Sequence, residues 1–141
     1  MQKFNGLSEL VAAEGAELGP TDWLEITQDR VDLLADATED HQWIHVDPER
    51  ADSGPFGGTI AHGFLTLSLL SAMNYDCAPR IREQTMGINF GFDKVRFMAP
   101  VKGGAKVRGR FVLKDARFRG AELLAINYAV TVEIEGERKP A

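Results

Sequence analysis

Apolar and polar residues alternate along two stretches in the second half of the chain. Between residues 105 and 113, every second position is apolar or glycine, and the positions between are mostly lysine or arginine. Residues 124 to 134 repeat this alternation after the dipeptide Arg119-Gly120. A period of two is typical of strands with one buried face. The pattern therefore predicts two long strands joined as an antiparallel hairpin.

The first half of the chain contains shorter segments of other kinds. Residues 22–26 predict a short strand, and residues 27–40 carry apolar side chains at helical spacing. Thr27 is placed to cap that helix, because a threonine oxygen accepts from the free N–H groups of the first turn. Asp47 and Pro48 predict a second, short helix, with Asp47 as its cap and Pro48 at its first position.

A glycine-rich loop and an apolar helix follow. Residues 53–58 contain glycines and a proline that disfavour both helix interiors and central strands. From Gly63 to Met73 the side chains are apolar on nearly every side of a helix, which is the pattern of a buried helix. This helix should end before Pro79.

These elements predict an α+β fold. A buried helix followed by long antiparallel strands indicates a single domain over residues 1–141, in which a curved antiparallel sheet wraps around a long central helix. Long consecutive strands leave an unpaired edge, and pairing with a second copy across a two-fold axis is a common way to cover it. We therefore expect a homodimer.

Composition and charge exclude several classes of protein. The 141 residues have a formal net charge of -5 and a pI near 5.2, which argues against binding to nucleic acid. No apolar run is long enough to predict a membrane span, and the N-terminal residues do not resemble a secretory signal. Cys77 is the only cysteine, so no intramolecular disulfide requires an oxidising compartment. These features predict a soluble cytoplasmic protein.

Residues 40–63 combine the chemical groups that an active site needs. This stretch reads DHQWIHVDPERADSGPFGGTIAHG and holds all the histidines of the chain. The carboxylate of Asp40 and the imidazole of His45 are able to bind one water, remove a proton from it and return a proton to the product. The helix that starts at Gly63 directs free N–H groups at any oxygen that gains negative charge.

The order of these residues is similar to that of a known family. Residues 40–45, DHQWIH, and residues 61–63, AHG, resemble the signature of the MaoC-like, (R)-specific enoyl-CoA hydratase family. That signature is roughly Asp-x-Asn-Pro-x-His followed by a loop and a helix opened by His-Gly. Gln42 and Trp43 replace its Asn and Pro, and the form DHQWIHVD looks more like the NodN-like branch. Residues 91–101 also resemble the strand that follows the helix in this family.

The resemblance implies a hot-dog fold and a lyase of fatty acid metabolism. The implied reaction is (R)-specific hydration of a (2E)-enoyl thioester to the (3R)-hydroxyacyl thioester, or the reverse dehydration. Asp40 and His45 would be the catalytic pair, the Gly63 N–H would bind the thioester oxygen, and Gln42 would support the loop. The acyl thioester, of coenzyme A or an acyl carrier protein, is then the substrate, and neither a separate cofactor nor a metal is required.

A coenzyme A substrate also needs cations for its phosphates. Because the chain as a whole is acidic, a few local basic residues would have to bind them. The candidates are Arg80, Arg82, Lys94 and Arg96.

Other interpretations of the same residues remain open. Thioester hydrolysis on the same fold also uses a water, a carboxylate and a helix N-terminus, and a non-catalytic acyl-thioester binding module would retain the fold without turnover. His41 and His45 have the spacing of a zinc site, but the zinc-protease motif needs a glutamate where Gln42 stands. His62 is expected to cap or pack at the helix start, and Cys77 to be a buried apolar residue.

Overall fold

The computed structural model describes residues 7–78, 84–120 and 123–141. The helices are α1 (Leu7–Ala12), α2 (Gln28–Thr38), α3 (Trp43–Val46), α4 (Pro48–Asp52), α5 (Gly63–Ser68) and α6 (Leu70–Cys77). The strands are β1 (Glu17–Leu18), β2 (Leu24–Glu25), β3 (Lys106–Arg119) and β4 (Leu123–Ile134). Within the described residues, no helix has both the length and the hydrophobicity needed to cross a bilayer.

The capping residues determine where two of the helices begin. The Thr27 hydroxyl accepts a hydrogen bond from the Arg30 N–H at 3.3 Å, at the start of α2. The Asp47 carboxylate accepts one from the Arg50 N–H at 3.0 Å, and Pro48 is the first residue of α4. Both caps satisfy N–H groups that have no partner inside the helix. The predicted helix starts are confirmed.

The predicted hairpin is also present. Strands β3 and β4 are antiparallel from the Val107–Ile134 pair to the Arg119–Leu123 pair, and Gly120 lies in the turn with a positive φ of 76°. The short strands β1 and β2 pair with β3 along its other edge. Strand β3 is therefore an interior strand of the sheet, between β4 on one side and β1 and β2 on the other.

The core lies between the sheet and helix α6. Val107 and Phe111 of β3 are buried and share one hydrophobic cluster with Met73 and Cys77 of α6. Gly109 lies between them on β3, and a Cβ there would be 2.7 Å from the Phe111 ring and 3.2 Å from the Met73 sulfur. The absent side chain at residue 109 allows the helix to approach the sheet closely.

The central helix of the structure differs from the predicted one in two respects. The observed helix is divided into α5 and α6 at Leu69, whose φ of -69° and ψ of -14° keep the chain nearly helical. It is not buried on every side, because Phe64 and Tyr75 are mostly exposed while Leu65 and Met73 are buried. The sheet of one chain has only two long strands among the described residues, and it covers one side of the helix.

The predicted strand over residues 91–101 is not formed. Residues 84–101 contain no regular secondary structure, and among the described residues the only isolated β-bridge is that between Ile60 and Lys102. A strand requires hydrogen bonds from a neighbouring strand. Within the described part of one chain, no strand pairs with this segment.

Candidate active site

Asp40 follows the sharp end of helix α2. The helix stops at Thr38, and Glu39 adopts the left-handed conformation with a φ of 62° and a ψ of 17°. Glycine or asparagine is more usual at such a position, because other side chains crowd the backbone there. The Asp40 side chain, directly after this turn, is half exposed, at 53%.

His45 is held in one orientation on helix α3. Its main-chain N–H donates to the Gln42 carbonyl at 2.9 Å, and its ring is buried. The ring atom Nδ1 is 2.6 Å from the carbonyl oxygen of Ile60. A carbonyl oxygen only accepts, so Nδ1 carries the hydrogen, and in the neutral ring Nε2 keeps its lone pair. His45 therefore presents a proton acceptor at Nε2.

His62 connects the other two residues. It is buried directly before helix α5, and its ring stacks on that of His45 with centroids 3.8 Å apart and an angle of 24° between the planes. Its Nε2–H donates to the main-chain carbonyl of Asp40 at 2.9 Å, and the Asp40 carboxylate lies 3.9 Å from the same nitrogen. The sequence predicts only capping or packing for His62; its side chain makes no cap hydrogen bond, and its contact with Asp40, 22 residues away, was missed.

The three side chains form one compact cluster. One carboxylate oxygen of Asp40 and one ring nitrogen each of His45 and His62 all lie within 4.8 Å of one another. Two hydrogen bonds of about 2.8 Å that meet at a water molecule span about 4–5 Å, so a single water is able to bridge groups at this separation. The predicted pair, Asp40 and His45, is thus brought together.

These residue types also occur at metal sites, but the ring geometry is unfavourable for one. A metal ion binds each imidazole in the plane of its ring, at about 2.0–2.1 Å for zinc. Because the rings of His45 and His62 are stacked, their lone pairs lie in two nearly parallel planes and do not converge on one point between them. The arrangement suits proton transfer through a water better than it suits a shared ion.

A cavity of about 450 Å³ adjoins this cluster. His45 and Gly63 lie in its wall, and a Cβ on Gly63 would be 2.9 Å from the Phe97 ring. The rest of the wall is mostly apolar and includes Phe56, Ile60, Phe64, Phe97, Met98 and Val101. Apolar clefts of this size with a few convergent polar groups are typical of sites for small ligands.

Of the other predicted site residues, Gln42, Lys94 and Arg96 lie outside this cavity wall. The Gln42 side chain is exposed and makes no hydrogen bond with the described residues, although its carbonyl accepts the His45 N–H. Lys94 and Arg96 are exposed on the segment that leads to Phe97, and neither lines the cavity. Arg80 and Arg82 lie outside the described residues.

Two further residues considered from the sequence, His41 and Cys77, are not members of the cluster. His41 is exposed, and its hydrogen bond to Asp36 at 2.8 Å raises its pKa. Cys77 is buried, and desolvation raises the pKa of its thiol to about 11. A thiol with so high a pKa is protonated at neutral pH and is a poor nucleophile. The prediction that Cys77 is a buried apolar residue is confirmed.

Comparisons with known proteins identify the family of the chain. Residues 9–135 match the family model described as MaoC like domain. The chain is 62% identical over 136 residues to Nodulation protein N of Rhizobium leguminosarum bv. viciae, covering 96% of this chain and 84% of that protein. It is 48% identical over 141 residues to 3-hydroxyacyl-thioester dehydratase Z of Mycobacterium tuberculosis, covering 100% of this chain and 93% of that protein.

A solved structure extends the comparison to the fold. The R-hydratase PhaJ1 from Pseudomonas aeruginosa superposes with a TM-score of 0.71 at 21% identity, over 90% of this chain and 75% of that one. The chain belongs to the MaoC-like dehydratase family, and Nodulation protein N is among its near relatives. The hot-dog fold implied by the sequence resemblance is confirmed.

Proposed function

We propose that the protein adds water to the double bond of (2E)-enoyl thioesters to give (3R)-hydroxyacyl thioesters, or catalyses the reverse dehydration. The observation that carries the proposal is the cluster of Asp40, His45 and His62 beside an apolar cavity. The cluster supplies the acid-base groups that the reaction needs, and the cavity has room for an acyl chain.

Asp40 and His45 would act on one bound water. Hydration places the water oxygen on the β-carbon of the substrate and a proton on its α-carbon. The pair removes a proton from the water as the carbon–oxygen bond forms, and a proton is then returned to the α-carbon. The lone pair at His45 Nε2, left free by the bond from Nδ1 to Ile60, is available for this transfer.

The thioester oxygen gains negative charge as the water adds, because electrons move from the double bond onto the carbonyl. Gly63, at the first position of α5, has a main-chain N–H without an intrahelical acceptor, and it lies in the same cavity wall as His45. A donor aimed at such an oxygen contributes about 10²–10³ in rate. We therefore assign the thioester carbonyl to Gly63.

The relatives support a lyase of acyl thioesters. The Mycobacterium tuberculosis relative is named a 3-hydroxyacyl-thioester dehydratase, and the Pseudomonas aeruginosa structure is an R-hydratase. In the proposed reaction coenzyme A or an acyl carrier protein is part of the substrate, and neither a further cofactor nor a metal takes part. For a coenzyme A substrate, Lys94 and Arg96 are proposed to contact the phosphates. The cytoplasm is the proposed location.

The test is a spectrophotometric assay with (2E)-enoyl-CoAs of several chain lengths, followed by chiral analysis of the product. We expect loss of the enoyl absorbance, a (3R)-hydroxyacyl product, and the same rate with and without a chelator. Release of free thiol would indicate a thioesterase instead. Tight binding without any change in absorbance would indicate a non-catalytic binding module.

The same assay tests the phosphate contacts. Lys94→Glu and Arg96→Glu should each raise KM more than they lower kcat, because they lie outside the cavity wall and would act on binding alone. Unchanged kinetics in both variants would remove these two residues from the proposed site.

A further inference from the structure

The side chain of Gln28 joins three separate parts of the chain behind the candidate active site. Its Nε2 donates to the main-chain carbonyl of His45 at 2.7 Å and to the Asp32 carboxylate at 2.8 Å. Its Oε1 accepts from the Thr59 hydroxyl at 2.6 Å. A single amide therefore connects helix α2, helix α3 and the chain before helix α5.

The chemistry of the neighbours determines which way this amide points. The carbonyl of His45 and the carboxylate of Asp32 only accept, so they require the NH₂ end. The reversed orientation would place the amide oxygen against both of them. Gln28 thus bonds His45 and Thr59 at once only in the orientation observed.

Thr59 connects this amide to the ring of His45. It is buried, and the next residue, Ile60, provides the carbonyl that accepts from His45 Nδ1. The Ile60 N–H in turn donates to the Ile44 carbonyl at 2.9 Å. Gln28 therefore restrains the backbone of His45 directly, and through Thr59 it restrains the carbonyl that orients the ring.

Gly103 leaves space for this arrangement. Its N–H donates to the Thr59 carbonyl at 2.9 Å. A Cβ at this position would be 2.7 Å from the Thr59 hydroxyl oxygen and 3.2 Å from Gln28 Oε1. Any side chain at residue 103 would push against the bond between Gln28 and Thr59.

We infer that Gln28 and Thr59 are positioning residues that hold the His45 imidazole with its hydrogen on Nδ1 and its lone pair at Nε2. Neither residue lines the cavity, so neither touches the substrate. The kinetic part of this inference rests on the proposed hydration reaction. The part that concerns the ring of His45 does not depend on that reaction.

Two near-isosteric variants break the network at different points. Thr59→Val removes the hydroxyl, and Gln28→Glu keeps an acceptor for Thr59 but sets a carboxylate oxygen against the His45 carbonyl. In both variants we expect kcat to fall about 10- to 100-fold, because misplacing a reacting group by about 1 Å costs about that much. KM should change less than about threefold, since the cavity wall is untouched. Thr59→Ser, which keeps the hydroxyl, should restore kcat.

The second measurement is the ¹⁵N chemical shift of each ring nitrogen of His45, assigned by comparison with His45→Gln and recorded without substrate. In the wild type these shifts should report hydrogen on Nδ1, and in Thr59→Val and Gln28→Glu a mixture of both tautomers. Thr21→Val is the matched control. Thr21 is similarly buried and accepts from the Gly109 N–H at 3.0 Å, so its loss should lower Tm while leaving kcat and the His45 shifts unchanged.

The outcomes separate this inference from the proposed function. An inactive wild type would reject the hydratase proposal, and the ring shifts would still decide the role of Gln28 and Thr59. Unchanged ring shifts in both variants would overturn the inference, as would a loss of kcat that Thr59→Ser fails to restore. If Gln28→Glu does not fold, the comparison of Thr59→Val with Thr59→Ser decides whether the inference holds.

Discussion

Asp40 and His45 are expected to act together on one water molecule. Asp40→Asn keeps the shape of the side chain but removes the base, and His45→Gln keeps a hydrogen-bonding group but removes the proton carrier. Each variant should fold and lose about 10²–10⁴-fold in kcat. Because both groups serve a single step, the double variant should be little slower than either single variant. Steady-state kinetics with an enoyl-CoA measures all three.

A second aspartate and histidine in the chain provide a matched control. Asp36 and His41 have the same spacing of five residues and are hydrogen bonded, but both are exposed. Asp36→Asn should lower the raised pKa of His41, measured by NMR titration, and leave kcat unchanged. Near-normal turnover in folded Asp40→Asn would contradict the assignment. Strictly multiplicative losses would contradict the shared water while leaving each residue a separate role.

A side chain at Gly63 is predicted to lower activity without unfolding the protein, and a second substitution tests the reason. The methyl group of Gly63→Ala would press on the Phe97 ring, whose nearest atoms would be 2.9 Å from it. Phe97 is half exposed and can move, so Tm should change little while kcat/KM falls about tenfold or more through the displaced thioester donor.

Adding Phe97→Ala should recover part of this loss, because it removes the ring that the methyl group meets. Gly91→Ala is the control, since a Cβ at Gly91 has no neighbour within 4 Å. Full activity in Gly63→Ala would show that the thioester carbonyl binds elsewhere.

The helices and strands that could be predicted from the sequence are those fixed by local chemistry. Thr27 and Asp47 cap the helices directly after them, and the β3–β4 hairpin follows from period-two alternation around the turn at Gly120. By contrast, β1 and α1 have no strong local signal and were not predicted. Residues 91–101 resemble a strand of the family but have no neighbouring strand in the described chain.

The candidate site shows the same division between local and distant contacts. Asp40 and His45 are close in sequence and form part of a motif, so they could be found without a structure. His62 and Gln28 reach them from 22 and 17 residues away. Neither contact leaves a periodic or spacing signal, because a side chain that bonds a main-chain carbonyl can do so from any sequence distance.

An acid-sensitive contact is predicted within the β3–β4 hairpin. Hydrogen bonds from Arg110 and Arg108 lower the pKa of the Glu133 carboxyl group. The unfolded chain therefore binds a proton more readily, so this contact stabilises the fold above the ordinary glutamate pKa of 4.5. The stabilisation is lost as the pH falls from there through the lower folded pKa.

Urea unfolding of wild type and Glu133→Gln at neutral and acidic pH measures this effect. The difference in unfolding free energy should be larger at pH 7 than near pH 3, and it should shrink with added salt because the group is partly exposed. Glu135→Gln is the control, since Glu135 lies 3.9 Å from Lys106 in a more exposed pair. A pH-independent difference for Glu133→Gln would contradict the prediction.

The whole molecule exposes an apolar segment that a second copy would cover. Met86, Ile88, Phe90 and Phe92 are apolar at every second position of residues 86–92, within the segment 84–98, and Phe90 is 96% exposed. This is the pattern of a strand with one buried face, yet residues 84–97 make no main-chain hydrogen bond with the rest of the described chain. Strand β4 likewise pairs only with β3 among the described strands. An open strand edge and exposed apolar side chains both favour association.

We therefore expect a homodimer in which residues 84–98 lie in the interface, and sedimentation velocity at micromolar concentration should give about twice the chain mass of 15.5 kDa.

Phe90→Ser removes one apolar ring from each copy. Because a large side chain at the centre of an interface often contributes about 2 kcal/mol or more, dissociation should become at least about tenfold easier. Leu33→Ser removes a similarly exposed apolar side chain from helix α2 and should leave the dimer intact. A wild-type monomer at this concentration would contradict the dimer, and equal effects of the two variants would place the interface elsewhere.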